Sequence, residues 1–217
     1  MDIYRKLMAD ERIVYLAKGT LVGLSAGFIV SLFRLGIEFI LETVVASYHY
    51  MQEQPIWLIP WVIFSVAAAL IVGKLVKSEP NIKGSGIPQV EGQVQGIISL
   101  NWWPVLWKKF IGGLLAIGSG LFLGREGPSI QLGSAVGQGI SSLTKGDDVE
   151  EKILLSSGAG AGLAAAFNAP LAGLMFVLEE VHHNFSPLLA ITTFSSALVA
   201  NFVSLNIFGL TPALDIG

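Results

Sequence analysis

Long apolar runs alternate with short charged clusters along the chain, a pattern typical of helices that cross a lipid bilayer. The run Gly19–Leu41 carries only Arg34 and Glu38, which lie four residues apart. Residues at this spacing share one helix face, so we expect the two side chains to pair. The run Gln54–Gly73 has no charge over about 20 residues, enough to cross roughly 30 Å of hydrocarbon. These two runs predict two transmembrane helices.

The later apolar runs are shorter or broken. Phe110–Gly124 has about 15 residues, too few for an upright helix to cross the bilayer. Irregular backbone at membrane depth is tolerated only where protein or a water-filled cavity surrounds it. The pattern therefore predicts an all-α integral membrane protein with tilted, broken and re-entrant helices around a central site. Two further uncharged runs are interrupted by proline: Ile153–Leu178, at Pro170, and Phe185–Leu214, at Pro187.

Glycines recur at helical spacing within these runs. Gly19, Gly23 and Gly27 repeat every four residues, as do Gly158 and Gly162. Small residues at this spacing let helix backbones approach closely in membranes. We interpret both sets as helix-packing surfaces.

The distribution of lysine and arginine predicts the orientation. Cations precede the first span and follow the second, whereas the loop between them holds Glu42, His49 and Glu53 but no Lys or Arg. By the positive-inside rule, the N-terminus and the loop near residue 80 are cytoplasmic. The first residues lack the apolar region and cleavage site of a signal peptide, so they form a charged lead-in to the first span. The cations are Arg5, Lys6, Arg12 and Lys18 before the first span, and Lys74, Lys77 and Lys83 after the second.

Composition supports a multi-pass protein of the cell membrane. Hydrophobic residues make up 53% of the 217 residues and charged residues 13%, and the mean hydropathy is +0.67. A soluble domain carries about a quarter charged residues. The net charge of −3 argues against nucleic acid as a partner, because phosphate binding needs clustered cations. Cysteine is absent, which excludes disulfides and cysteine metal sites; we expect no metal and no organic cofactor.

Three segments share a pattern of small residues followed by proline: 84–88, 124–128 and 167–170. Proline is favoured in the first turn of a helix, so each segment predicts a helix N-terminus. Such an end exposes unpaired N–H groups and about half a positive charge. One segment alone would be an ordinary helix start. Several that converge in a water-poor place would bind a small anion without a cationic side chain, as discontinuous helices do in transporters.

These segments resemble signatures of the CLC family of chloride channels and chloride/proton antiporters. The resemblance covers essentially the whole chain, residues 1–217, as the N-terminal half of a CLC-type membrane domain. Its motifs are Gly84-Ser85-Gly86-Ile87-Pro88 with Glu91-Gly92, then Gly124-Arg125-Glu126-Gly127-Pro128 with Gln131 and Gly133, and then residues 160–173.

The resemblance implies chloride as the substrate. It matches Ser85 to the serine whose hydroxyl donates to the central anion, with the backbone of Gly84, Gly86 and Ile87 around it. A proline in place of Ser85 would indicate nitrate.

The resemblance also implies that Glu126 is the gate: ionised, it occupies an anion site, and protonated, it swings out and carries a proton. The alternative is a carboxylate that caps a helix N-terminus. Gly124, Arg125, Gly127 and Pro128 form that helix start. The role of Arg125 remains open: it either contributes to the electrostatic field at the anion site or anchors an interface. We do not count it as an anion contact.

Glu179 and Glu180 follow an apolar helix. The resemblance matches Glu180 to the internal proton-transfer glutamate of the antiporters, and the alternative is a solvated helix end. His182 and His183 are adjacent and project about 100° apart on a helix. They make a poor metal pair, and we interpret them as interfacial.

The family has two inverted halves, and the second supplies a Gly-x-Phe-x-Pro loop and an anion-binding tyrosine. Neither is present: no such loop follows Phe185, and all four tyrosines precede the first signature. Three explanations remain open: the chain is a fragment of a longer one, the second half is on another chain, or an unusual short homologue assembles from halves. In each case we expect this chain to supply half of the pathway. The resemblance further implies a homodimer, with Leu174–Val177 and Leu188–Phe202 contributing to its face.

The leading hypothesis is chloride/proton antiport, with protons, chloride and the bilayer as partners. The alternatives are a passive voltage- or pH-gated chloride channel and a non-transporting half or fragment. A fluoride exporter is disfavoured because the Gly-Ser-Gly-Ile-Pro segment is intact. An enzyme would need Gly-x-Ser-x-Gly with a histidine base, or His-Glu-x-x-His, and the sequence has neither.

Overall fold

The computed structural model describes residues 2–121 and 123–209, with side chains from residue 11 onward. This part of the chain is helical and contains no strand. Its α-helices are α1 Asp2–Glu53, α2 Leu58–Ser78, α3 Ile87–Val94, α4 Trp102–Gly118, α5 Glu126–Leu143, α6 Asp148–Phe167, α7 Pro170–Phe176 and α8 Pro187–Phe208. The prediction of an all-α fold is confirmed.

In the described part of the chain, three segments are long and apolar enough to cross a membrane: Glu11–Glu53, Pro55–Ser78 and Pro187–Phe208. Both predicted transmembrane helices are among them. The lead-in before the first span is not a separate segment, because α1 continues through it for 52 residues. Its sequence has no proline, and its first glycine is Gly19, so nothing in the lead-in stops a helix.

The helices α5 and α6 form an antiparallel pair at the centre of the fold. Gly133 of α5 lies against Gly158 of α6, and a Cβ at either glycine would clash with the backbone oxygen of the other. Gly162 is packed in the same way against the Ser129 carbonyl. The predicted packing role of Gly158 and Gly162 is confirmed.

The helix α8 runs parallel to α1 and α6. The glycine row of α1 lies against the α8 backbone, so the second predicted packing surface is confirmed as well. The contacts pair Gly19 with Thr192, Gly23 with Ser196 and Gly27 with Ala200.

The predicted breaks occur where proline interrupts the apolar runs. The helix α6 ends at Asn168, which is left-handed with φ 56°, and α7 begins at Pro170. The helix α7 then widens into a π-helical turn over Val177–Val181, and α8 begins at Pro187. The short run predicted from Phe110 is shifted: α4 begins at Trp102, where the Asn101 side chain accepts a hydrogen bond from the Trp103 N–H.

Candidate functional site

The first two proline segments meet at one place. Gly127, in the first turn of α5, lies against Ser85, and a Cβ on Gly127 would lie 2.6 Å from the Ser85 Cβ. Gly86 lies against the Gln131 side chain one turn further along α5. The N-termini of α3 and α5 therefore meet at Ser85, so the positive ends of two helix dipoles lie close together.

The loop before α3 has the backbone geometry of a tight helix start. Gly84 and Gly86 have positive φ angles of 73° and 93°, which a residue with a Cβ adopts only at a cost. Ser85 Oγ accepts a hydrogen bond from the Ile87 N–H at 3.3 Å, which leaves the hydroxyl proton free to donate to a ligand. Gly84 and Ser85 are exposed, Ile87 is half-buried and Gly86 is buried.

Two buried side chains hold this loop from behind. Lys109 Nζ donates to the carbonyls of Ile82 at 2.9 Å and Gly84 at 2.7 Å. Gln131 Nε2 donates to the Asn81 carbonyl at 2.9 Å. Sequence analysis missed Lys109, since a lysine in an apolar run gives no indication of which carbonyls it will meet.

Glu126 shares a cavity of about 440 Å³ with Ser85, Gly127 and Lys109. Its half-buried side chain folds back over Gly124, where an added Cβ would clash with Oε2. Among the described residues, no hydrogen bond or ion pair fixes the carboxylate. Pro128 also lines the cavity, whereas the third proline segment, residues 167–170, does not.

A larger cavity of about 540 Å³ lies elsewhere, between α1 and α2. Aromatic pairs surround this region: Tyr48 with Trp61 at 5.2 Å and Tyr50 with Trp57 at 6.0 Å between ring centroids. Aromatic rings cluster at the boundary between membrane and water. The lining of this cavity is mostly apolar, which disfavours an ion site there.

Glu38 links α1 to the start of α5. Its Oε1 accepts hydrogen bonds from Arg34 Nε at 3.0 Å and from Arg125 Nη1 at 3.3 Å. The predicted pairing of Arg34 with Glu38 is therefore confirmed, and Arg125 is anchored to α1. Measured along α1, Glu38 lies roughly 30 Å from Lys18 and about 22 Å from Glu53. An ionic cluster this far inside the membrane segment is typical of an ion pathway.

Glu180 lies at a different level of the fold. It is exposed, like Glu179, in the π-helical turn. The next turn is fixed by His182 Nε2, which lies 2.7 Å from Ser156 Oγ of α6. The helices α5 and α6 are antiparallel. The contact between His182 and Ser156 therefore lies about nine residues along α6 from the level of Glu126, a rise of roughly 14 Å. His183 is exposed and His182 is half-buried, and their interfacial position stays a prediction.

Titratable residues are otherwise dispersed. Among the residues whose side chains are described, 11–121 and 123–209, no group of three or more His, Asp or Glu lies close enough to hold a metal ion. The candidate site offers backbone N–H groups and the Ser85 hydroxyl as donors, with the Glu126 carboxylate in the same cavity. Such donors suit a monovalent anion.

Comparison with known proteins agrees with this geometry. A family model described as voltage gated chloride channel matches residues 66–217. The chain is 41% identical over 197 residues to the H(+)/Cl(−) exchange transporter ClcA of Vibrio parahaemolyticus, covering 87% of this chain and 41% of that protein. It is 37% identical over 213 residues to ClcA of Vibrio cholerae, covering 93% and 45%.

Solved structures give the same picture. A slow cyanobacterial Cl−/H+ antiporter superimposes with a TM-score of 0.86 at 32% identity, covering 93% of this chain and 48% of that one. A CLC-type fluoride/proton antiporter superimposes with a TM-score of 0.71 at 19% identity, which shows a shared fold. The chain spans less than half the length of the curated relatives it matches.

Proposed function

Because the chain belongs to the voltage gated chloride channel family, the CLC family, we propose that it supplies one half of a chloride/proton antiport pathway in the cell membrane. The observation that carries the proposal is the contact between Ser85 and Gly127, which brings two helix N-termini and Glu126 to one cavity. The similarity to H(+)/Cl(−) exchange transporters supports antiport as the activity.

Chloride binds at this cavity through the Ser85 hydroxyl and the backbone around Gly84, Gly86 and Ile87. These donors replace part of the hydration shell that the anion loses inside the membrane. Two helix N-termini add positive potential without a cationic side chain in contact. The anion is therefore held strongly enough to enter and weakly enough to leave.

Glu126 acts as the gate. Its carboxylate has no fixed partner and shares the cavity with Ser85, so it competes with chloride when ionised. Protonation removes its charge, frees the anion site and loads a proton onto the same side chain. Glu180, exposed in the π-helical turn at a different level of the fold, exchanges protons with the inner solution.

A second half completes the pathway, either further along the same polypeptide or on another chain. Gly84 and Ser85 are exposed on this chain, which leaves a face of the anion site open for that half. The N-terminus is cytoplasmic. Two such pathways associate as a homodimer through the apolar outer face of α7 and α8, where Leu171, Met175, Leu198 and Phe202 are exposed.

Flux through the full-length protein in liposomes tests this function. An outward chloride gradient should drive protons uphill in the opposite direction. Glu126→Gln and Glu180→Gln should each abolish proton movement, whereas Glu42→Gln, at an exposed position on α1, should leave the coupling unchanged. The 217-residue chain alone should give no flux.

Three outcomes contradict the proposal. Chloride movement that never drives protons indicates a passive channel. Intact coupling in Glu180→Gln removes that residue from the proton path. Absence of chloride flux from the full-length protein indicates a non-transporting member of the family.

A further inference from the structure

The loop that presents Ser85 is held in place by a buried lysine. Lys109 is 4% exposed, and its ammonium group donates to two carbonyls of this loop, those of Ile82 and Gly84. Resting on the proposed function, we propose that Lys109 is the positioning residue of the anion site: it fixes the loop so that N–H groups rather than carbonyl oxygens face chloride.

Peptide geometry gives the reason. The C=O and N–H of one trans peptide unit point in opposite directions. Because the Gly84 carbonyl is bound to Lys109, the N–H of Ser85 in the same unit points away from the lysine. A flip of this unit would exchange the N–H for a carbonyl oxygen, whose negative end repels an anion.

The loop would flip easily without the lysine. Gly84 has a positive φ of 73°, and no atom lies within 4 Å of the position that a Cβ would occupy there. Glycine samples both signs of φ at low cost, so packing against Gly127 fixes the Ser85 side of this peptide unit but not the Gly84 side. The hydrogen bonds from Lys109 are what fixes it.

Charge points to the same role. None of the ion pairs among the described residues includes Lys109. A buried ammonium group without a carboxylate is costly unless another negative charge compensates it. Lys109 lines the same cavity as Ser85 and Glu126, so chloride, or the Glu126 carboxylate when chloride is absent, supplies that charge.

Gln131 assists at the other end of the loop. Its side chain is 2% exposed and holds the Asn81 carbonyl through Nε2. It also fills the space beside Gly86, where an added Cβ would lie 2.6 Å from Oε1. This neutral contact fixes one carbonyl, so its loss is expected to matter less than the loss of Lys109.

Chloride binding to the full-length protein, measured by isothermal titration calorimetry, tests the proposal. Lys109→Met should weaken chloride binding about tenfold or more, because two charge-assisted hydrogen bonds are lost. Lys109→Arg keeps the charge and the donors and should bind more tightly than Lys109→Met. The matched control is Lys77→Met, which removes the same charge from an exposed position on α2 that does not line the cavity. It should change the dissociation constant by about twofold at most.

Melting temperatures without chloride separate positioning from stability alone. A lower melting temperature in Lys109→Met with an unchanged dissociation constant overturns the proposal, and so does an equal loss of chloride binding in Lys77→Met. If Lys109→Met does not fold, Gln131→Met serves instead: weakening by about threefold supports the loop clamp, and unchanged binding overturns it. Wild-type protein that binds no chloride would contradict the proposed function itself rather than the role of Lys109.

Discussion

At the scale of single residues, His182 connects the acidic turn after α7 to α6. Burial, followed by the positive charge of Lys152, lowers the pKa of His182 from its usual value. Its ring is therefore neutral at pH 7 and bonds to Ser156. As the pH falls through about 6.5, the unfolded chain takes up this proton before the folded protein does. The stabilisation from His182 is thus complete above that pH and is lost on acidification.

This linkage predicts a lower melting temperature at pH 5.5 than at pH 7.5, measured by thermal unfolding in detergent. His182→Gln should show a smaller drop between the two pH values, since its side chain does not titrate. The exposed neighbour provides the control, and His183→Gln should show the full wild-type drop. Equal drops in wild type and His182→Gln would show that another group controls the acid sensitivity.

Motifs placed the residues at the centre of the site but not those that support them. Ser85 and Glu126 stand in short segments whose proline and glycine indicate a helix start, and the structure brings both to one cavity. Lys109 and Glu38 lie within apolar runs, and their partners are 25 and 87 residues away in sequence. Such contacts depend on helix packing, which residue types and local spacing do not specify.

At the scale of helices, close backbone contact between α5 and α6 holds the two ends of the candidate pathway in register. Gly158→Ala should strongly reduce the yield of folded protein, because the added methyl group would meet the Gly133 carbonyl and neither backbone can move away cheaply. Size-exclusion chromatography in detergent, together with the melting temperature, measures the effect.

A glycine in α2 gives the matched control. No atom lies within 4 Å of a Cβ placed on Gly73. Gly73→Ala should therefore be tolerated or slightly stabilising, since alanine favours a helix by about 1 kcal/mol over glycine. Wild-type yield and melting temperature in Gly158→Ala would contradict the packing account.

The more hydrophobic a helix is, the more accurately the sequence predicted it. The run Gln54–Gly73 predicted most of α2, and Pro170 and Pro187 marked helix starts that the structure confirms. The apolar runs did not predict α5 as a membrane helix, although its start at residues 124–128 was predicted. Its residues are largely Gly, Ser and Gln, yet residues 127–141 are all buried. Buried by protein rather than lipid, α5 needs small residues more than apolar ones.

At the scale of the whole molecule, the chain forms one face of a site. Gly84 and Ser85, the proposed anion contacts, are exposed, while the packing behind them, at Lys109 and Gln131, is buried. The CLC resemblance predicted this family and fold from three short motifs, and the comparisons confirm both. The proposed second half would cover the exposed face, and its contacts there depend on residues outside these helices.

The central claim is that chloride binds where the N-termini of α3 and α5 meet. Anomalous diffraction from crystals of the full-length protein in bromide tests it most directly, because bromide replaces chloride and is located without reference to a mechanism. The account predicts a bromide peak in the cavity within hydrogen-bonding distance of the Ser85 hydroxyl. A cavity without a peak, under conditions where chloride is transported, would contradict it.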